Sequence, residues 1–354
     1  YGRGIWVLDD YTRLRQLASA SSTGLDRVRL FAPDEAVRLR RNVNADTPFP
    51  PEVPHALNAP DGALIYYALP AKPAGVITLD VLDAAGHVVR HLSSSPIPPV
   101  EEAAHPPEPD FWIARPMPLS TDVGTNRANW DLRYDAPPAF SHSFEINANP
   151  GLTPASPEGP LAAPGRYTIT LTVDGRRYTQ TLTVRNDPRS PATPTAVAAQ
   201  SALLLKIYGG IGASWQAYQA ADALRKAVQS AAGANPPTDI AAAVAALGAT
   251  LDSVAGSSAG GRGPRGRRGA TPAPNFRTIN GTLVGQLEAQ DNGDMAPTAA
   301  MLAAYASACH DLSAAEAAFD HMLTNDLPTL DAALTHAGLR PVASPRTRLV
   351  PPRC

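Results

Sequence analysis

The sequence predicts an antiparallel β-sandwich followed by an antiparallel α-helical bundle, and three observations predict it. Apolar and polar residues alternate with period two through much of 60–187, as half-buried strands require. From Pro194 the composition turns Ala-rich and apolar residues recur at 4-3-4-3 spacing, the seam of packed helices. The chain holds 37 prolines in 354 residues, concentrated between Pro48 and Pro188, where they exclude long helices. The expected division is a terminal strand and turn at 1–17, a linker at 18–59, the sandwich at 60–187, the bundle at 188–345 and a tail at 346–354. Inside the bundle, 257–274 is expected to be a disordered Arg/Gly loop.

The length suits two or three domains, each able to bury its own core. A net charge of −2 gives no global field favouring nucleic acid or an acidic membrane. No uninterrupted apolar run approaches about 18 residues, so no membrane span is expected. The 2 cysteines, Cys309 and Cys354, suggest neither a disulfide framework nor a zinc site, and leave the compartment open. The chain starts at Tyr1 without a signal peptide and reads as the middle of a longer polypeptide.

In 1–17, Ile5 to Leu8 forms a short strand between Gly4 and Asp9-Asp10. Four residues cannot stand alone, so this strand is expected to pair with something upstream. Deleting Tyr1 to Leu17 is then expected to leave the sandwich's melting almost unchanged. Asp9 or Asp10 is expected to cap the turn TRLRQL rather than hold a metal. In 18–59, Val28, Leu30 and Phe31 suggest one extended segment, and Val37 and Leu39 another. Beside them Arg38, Arg40 and Arg41 form a basic cluster. It reads as a solvated strand face, with an anion site as the alternative.

Ile77, Leu79 and Val81 alternate into a turn at Asp83-Ala84-Ala85-Gly86, and Val88, Val89 and Leu92 form the return strand. His87 and His91 lie about 13 Å apart on such a strand, too far to share a metal. Gly124-Thr125-Asn126 reads as a turn before a strand containing Ala128, Trp130 and Leu132. Trp112 and Trp130 are the candidate carbohydrate-binding residues, because a planar ring can stack on a sugar; the core is the competing place for both. Residues 136–163 form an unusually long loop.

The clearest local signal is Pro164 to Val184. Tyr167, Ile169, Leu171 and Val173 alternate with Thr168, Thr170 and Thr172, and Asp174-Gly175 follows. A two-residue type I′ turn there pairs Val173 with Arg176, Leu171 with Tyr178 and Tyr167 with Leu182, leaving Gln180 opposite Ile169.

Four helical seams follow. The first runs from Leu204 to Val228, the second from Ile240 to Val254, the third from Ile279 to Leu287, and the fourth from Leu302 to Leu323, with Glu316 its one misfit. Gly209, Gly210 and Gly212 lack the Lys-Ser/Thr ending of a phosphate loop and read as close helix packing or a local kink. The basic run Gly260 to Gly269 lacks interleaved aromatics and suggests a loop rather than a nucleic-acid site. No nucleophile elbow, zincin motif or zinc-spaced Cys/His set occurs, and the 8 histidines are scattered. Catalytic residues, metals and cofactors are accordingly not expected.

The stretch GIWVLDDYTRLRQL resembles the last blade strand of bacterial sortilin-like, BNR-repeat β-propeller "glycosyl hydrolase" proteins. The ordered set ALIYYALP, ITLDVLDAAGHVVRHL, GTNRANWDLRYDAPP, GPLAAPGRYTITLTVDG and LTVRNDPR is similar to the same proteins. The middle stretches are also similar to the immunoglobulin-like domain of flagellar hook-cap proteins. This resemblance implies an immunoglobulin-like sandwich, with 1–17 as the last strand of a truncated propeller. It also implies a secreted or periplasmic protein whose hydrolase label belongs to the propeller. The expected function is a non-catalytic structural or interaction region. Its partners would be the upstream propeller and another protein or a glycan; the alternatives are a carbohydrate-binding module, or part of a glycoside hydrolase whose active site lies in the missing propeller.

Overall fold

The computed structural model describes residues 8, 10–18, 26–40, 47–50, 52–54, 59–98, 100, 108–144, 151–257, 273–343, 349 and 354. The expected propeller strand at Ile5 to Leu8 lies outside these residues except for Leu8, and the Arg/Gly run at Gly260 to Gly269 lies wholly outside them. The chain divides into two compact units. One holds 1–136, 141–201 and 293–296; the other holds 137–140, 202–292 and 297–354.

The first unit begins with helix α1 (Thr12–Ala18). Asp10 Oδ1 accepts from the Thr12 amide at 2.7 Å, the turn-capping role expected of the acidic pair. The strands are β1 (Arg29–Leu30), β2 (Ala36–Arg38), β3 (Ala63–Leu69), β4 (Thr78–Leu82), β5 (Val88–Ser93), β6 (Gly124–Trp130), β7 (Ser143–Phe144), β8 (Ala155–Ser156), β9 (Gly165–Val173) and β10 (Arg176–Asn186). They form a three-stranded sheet in the order β1-β3-β6, a five-stranded sheet in the order β2-β10-β9-β4-β5, and the pair β7-β8.

The hairpin β9-β10 has the register read from its sequence: Val173 faces Arg176, Leu171 faces Tyr178, Gln180 faces Ile169 and Tyr167 faces Leu182. The turn is built as Asp-Gly demands, with φ of 46° at Asp174 and 77° at Gly175. Alternation then sends Ile169 and Leu171 inward, where they share one core with Leu79 and Val81 of β4, Ile65 and Tyr67 of β3 and Trp130 of β6. All seven are fully buried, each contributing roughly 1.5–3 kcal/mol by removal from water.

The expected immunoglobulin-like sandwich followed by an antiparallel bundle is not the architecture found. The fold is mixed α/β, with sheets of 3, 5 and 2 strands, one of them curled as a half-barrel. Three features depart from the expectation. β2 pairs with β10 in parallel, so the larger sheet is mixed. The stretch expected as a linker supplies β1 and β2 to two different sheets. The long loop after Ala136 carries β7 and β8 as a sheet of its own. Strands of two or three residues are too short to display a period, so their pairing is set by the core they close over. The expected turn at Gly124-Thr125-Asn126 is instead the start of β6, paired along its length with β3.

Helix α1 also departs from expectation. The Gln16 side chain exchanges two hydrogen bonds with the Ala32 backbone, at 2.7 and 3.0 Å. Leu17 packs against the small cluster of Phe31, Tyr66 and Ala68, and the Arg13 guanidinium lies 4.6 Å from the Tyr66 ring centroid. This helix is part of the first unit.

The second unit is built from α2 (Pro194–Ala232, from residue 202 onward), α3 (Thr238–Ala255), α4 (Phe276–Gln290), α5 (Ala299–His321) and α6 (Leu327–His336). A π-helical turn, Met322–Asp326, joins α5 to α6. Proline 194 occupies the first turn of α2 and the Thr193 hydroxyl accepts from the Ala196 amide, a standard helix start. Asn275 and Thr298 open α4 and α5 with reciprocal capping boxes. Most of the read seams face inward, with Ile211, Leu224, Ile240, Leu251, Leu283, Leu312 and Phe319 sharing one core, but Leu302 at the head of the fourth seam is exposed. A Cβ at Gly210 would sit 3.0 Å from Leu283 Cδ1, so this glycine serves close helix packing.

The membrane expectation is left open by the helices, and the cysteine expectation is corrected. Helices α2 and α3 each contain an 18-residue window of mean hydropathy 1.3, long and apolar enough by composition to cross a membrane. Alanine raises that average without producing an unbroken run of large apolar residues. Of the α2 window 44% is buried within the protein, and of the α3 window 28%. The cysteines are not unlinked: Cys309 and Cys354 form a disulfide, with Cα atoms 5.6 Å apart.

Candidate functional site

The site is assembled in the first unit from the end of β10, the turn after it, the end of β2 and the segment 293–296. Arg38 was expected on a solvated strand face, yet it is fully buried. Its Nε donates to the Ala162 carbonyl at 2.9 Å, and its Nη1 donates to Asn186 Oδ1 at 3.1 Å and to Asp294 Oδ1 at 2.5 Å. Arg40 Nε donates to the same carboxylate oxygen at 2.9 Å, and the Ser190 hydroxyl donates to Asp294 Oδ2 at 3.1 Å. The segment carrying Asp294 is held next door, where Gln200 Nε2 donates to the Gly293 carbonyl.

Burial by itself would raise the Asp294 carboxyl. The hydrogen bonds and charges of Arg38 and Arg40 outweigh it and hold the group below its ordinary value. A buried guanidinium needs such a partner, because an uncompensated charge in a low-dielectric interior is costly.

Beside this network the turn Asp187-Pro188-Arg189-Ser190 is folded on itself. Asp187 Oδ1 accepts from the Arg189 amide at 2.9 Å, and the Ser190 amide donates to the Asp187 carbonyl at 3.0 Å. The Arg189 side chain reaches back so that Nε and Nη2 grip both carboxylate oxygens, at 2.8 to 3.2 Å. That guanidinium lowers the Asp187 carboxyl below its usual range. Together Arg40, Asp187, Arg189, Ser190, Pro191 and Asp294 line an open cavity of about 400 Å³.

The aromatic candidates are not brought together. Trp130 is fully buried and its Nε1 donates to the Arg133 carbonyl at 2.9 Å, while its ring meets Tyr167 edge-on. It has no face left for a sugar. Trp112 sits half-buried in a 3-10 turn, and the neighbouring Phe111 ring stands at 82° to it, so the two do not form one flat shelf. The histidines of β5 and its turn are each paired locally, His91 Nδ1 with Asp80 at 2.6 Å and His87 Nδ1 with Asp83 at 3.2 Å. Among the described residues no group of three His, Cys, Asp or Glu side chains is placed to hold a metal ion.

Sequence inspection drew attention to Arg38 and Arg40 but not to Asp294, which lies 256 positions from Arg38 between the third and fourth helical seams. Its one signal is the loop context Asn292-Gly293-Asp294. Comparisons with protein-family models, with curated proteins and with solved structures found no match to this chain.

Proposed function

We propose that the chain is a structural and interaction region of an exported protein, attached to a β-propeller in the same polypeptide and not itself the seat of catalysis. The observation that carries this is the disulfide Cys309–Cys354, since structural disulfides persist in the oxidising extracytoplasmic compartments. The charged groups support the same role. Arg38 and Asp294 are engaged in bonds that join segments far apart in sequence, and Asp187 in bonds that fix its own turn, which is the work of a scaffold. The propeller attachment rests on the resemblance carried by GIWVLDDYTRLRQL and the stretches after it.

Two measurements test the proposal. Thiol titration of the protein purified from an oxidising compartment should find no free thiol under denaturing conditions and two after reduction. Two thiols without reductant would remove the argument for export. A glycoside panel should find the 354-residue chain inert, whatever the full-length protein does. Hydrolysis by this chain alone would overturn the non-catalytic assignment.

A further inference from the structure

We propose that the cavity at Arg189 and Ser190 binds a hydroxylated monocarboxylate of the size of a single sugar acid. The inference goes beyond the scaffold role and does not depend on it.

The first ground is the free edge of Arg189. A guanidinium presents two forks, one formed by Nε and Nη2 and the other by Nη1 and Nη2. Asp187 takes the first, through contacts to Nε and Nη2. The Nη1 atom makes no bond to the protein, so the second fork is left for another carboxylate, the geometry in which Arg binds such groups best. Asp187 thereby fixes the arginine in place without consuming it. The side chain is 79% exposed, so a ligand reaches it without displacing anything.

The second ground lies behind the wall. Arg38 is fully buried, and its Nη2 has no hydrogen-bond partner. Its Nη1 holds Asp294, a wall residue, so a fixed positive charge stands one hydrogen bond behind the cavity. Asp294 compensates only one of the two guanidiniums it holds, Arg38 and Arg40, and Asp187 compensates Arg189, so these five groups keep one net positive charge for an anion.

The third ground is selection. Asp187 and Asp294 share the cavity with the arginines. Two carboxylates repel a dianion such as phosphate at neutral pH, yet each still accepts hydrogen bonds from hydroxyl groups. The Ser190 hydroxyl adds a group that both donates and accepts. A ligand with one carboxylate and several hydroxyls satisfies every one of these groups, and a volume of about 400 Å³ falls in the range that takes one small molecule.

The test uses the whole chain and three probes, glucuronate, glucose and inorganic phosphate, with saturation-transfer NMR for detection and calorimetry for affinity. Glucuronate should bind with Kd of about 0.1–3 mM, weakly, as befits an open cavity. Glucose and phosphate should bind at least about tenfold more weakly. Arg189→Ala should weaken glucuronate at least about tenfold, a loss of one charged fork, with an unchanged melting temperature. Arg166→Ala, an exposed arginine on β9, should leave binding intact. No glucuronate signal at about 20 mM overturns the proposal, as does equal binding by the Arg189→Ala protein. Phosphate or glucose binding as tightly as glucuronate overturns it equally, because the site would then not be reading one carboxylate among hydroxyls.

Discussion

Among the described residues two charged side chains, Arg38 and Glu316, are buried with opposite consequences. Arg38 has its counter-ion in Asp294, and that pairing is what makes its burial tolerable. Asp294→Ala should therefore cost about 3–5 kcal/mol in urea unfolding, more than an exposed ion pair returns. The double change Arg38→Met with Asp294→Leu should recover much of that loss, since it removes both charges together. Glu316 has no such partner. It sits in the α5 seam 2% exposed, with Oε2 unbonded. Burial, and then the charge of Asp320, push its carboxyl up to about 7 from an ordinary value of 4.5. The folded state thus holds the proton over a range where the unfolded state has released it. Its contribution to stability is fully present below about pH 4.5 and is lost as pH rises to about 7, by an amount on the order of 3 kcal/mol. Glu316→Gln should flatten that part of the pH profile, measured by urea midpoints at pH 5 and pH 8.

At the scale of elements, the hairpin β9-β10 is the best-specified part of the chain. Its turn holds Gly175 at φ 77°, a conformation costly for any residue with a Cβ. Gly175→Val should lower stability by about 1–3 kcal/mol, while Asp174→Asn, which tolerates the same backbone and keeps an oxygen for the Ala74 amide, should be nearly silent. Helix α1 gives the contrasting case. Its two Gln16 hydrogen bonds and the Arg13 contact with Tyr66 attach it to the first unit. Deleting residues up to Leu17 should cost about 1–3 kcal/mol in thermal unfolding. The sequence had suggested almost no effect, because an apolar tetrapeptide followed by a basic turn offers no sign of what it docks on.

For the whole molecule, the covalent link matters most. The disulfide joins residues 45 apart, and Leu349 in the intervening tail is buried in the helical core. Restricting a loop of that length in the unfolded chain is worth about 4 kcal/mol by the entropic account. Melting in the presence of dithiothreitol, or of Cys354→Ser, should be lower by several degrees; equal melting would show that apolar packing alone holds the tail.

Periodicity alone determined the regular elements with long repeats: the β9-β10 register, the inward set Ile77, Leu79 and Val81, and the helical seams from α2 to α5. These follow from local rules, because the period recurs often enough to outvote exceptions such as Gln180, Glu316 and Leu302, and the Asp-Gly turn fixes the hairpin register. Only the tertiary structure decided the rest. It put Arg38 in the interior, Trp130 in the core, β2 parallel to β10, and Asp294 against two arginines more than 250 positions away. The physical reasons differ from case to case. A strand of three residues has no period to read. A charge is buried or exposed according to a partner that sequence distance hides. A tryptophan suits a core and a sugar site equally until neighbouring side chains cover its faces.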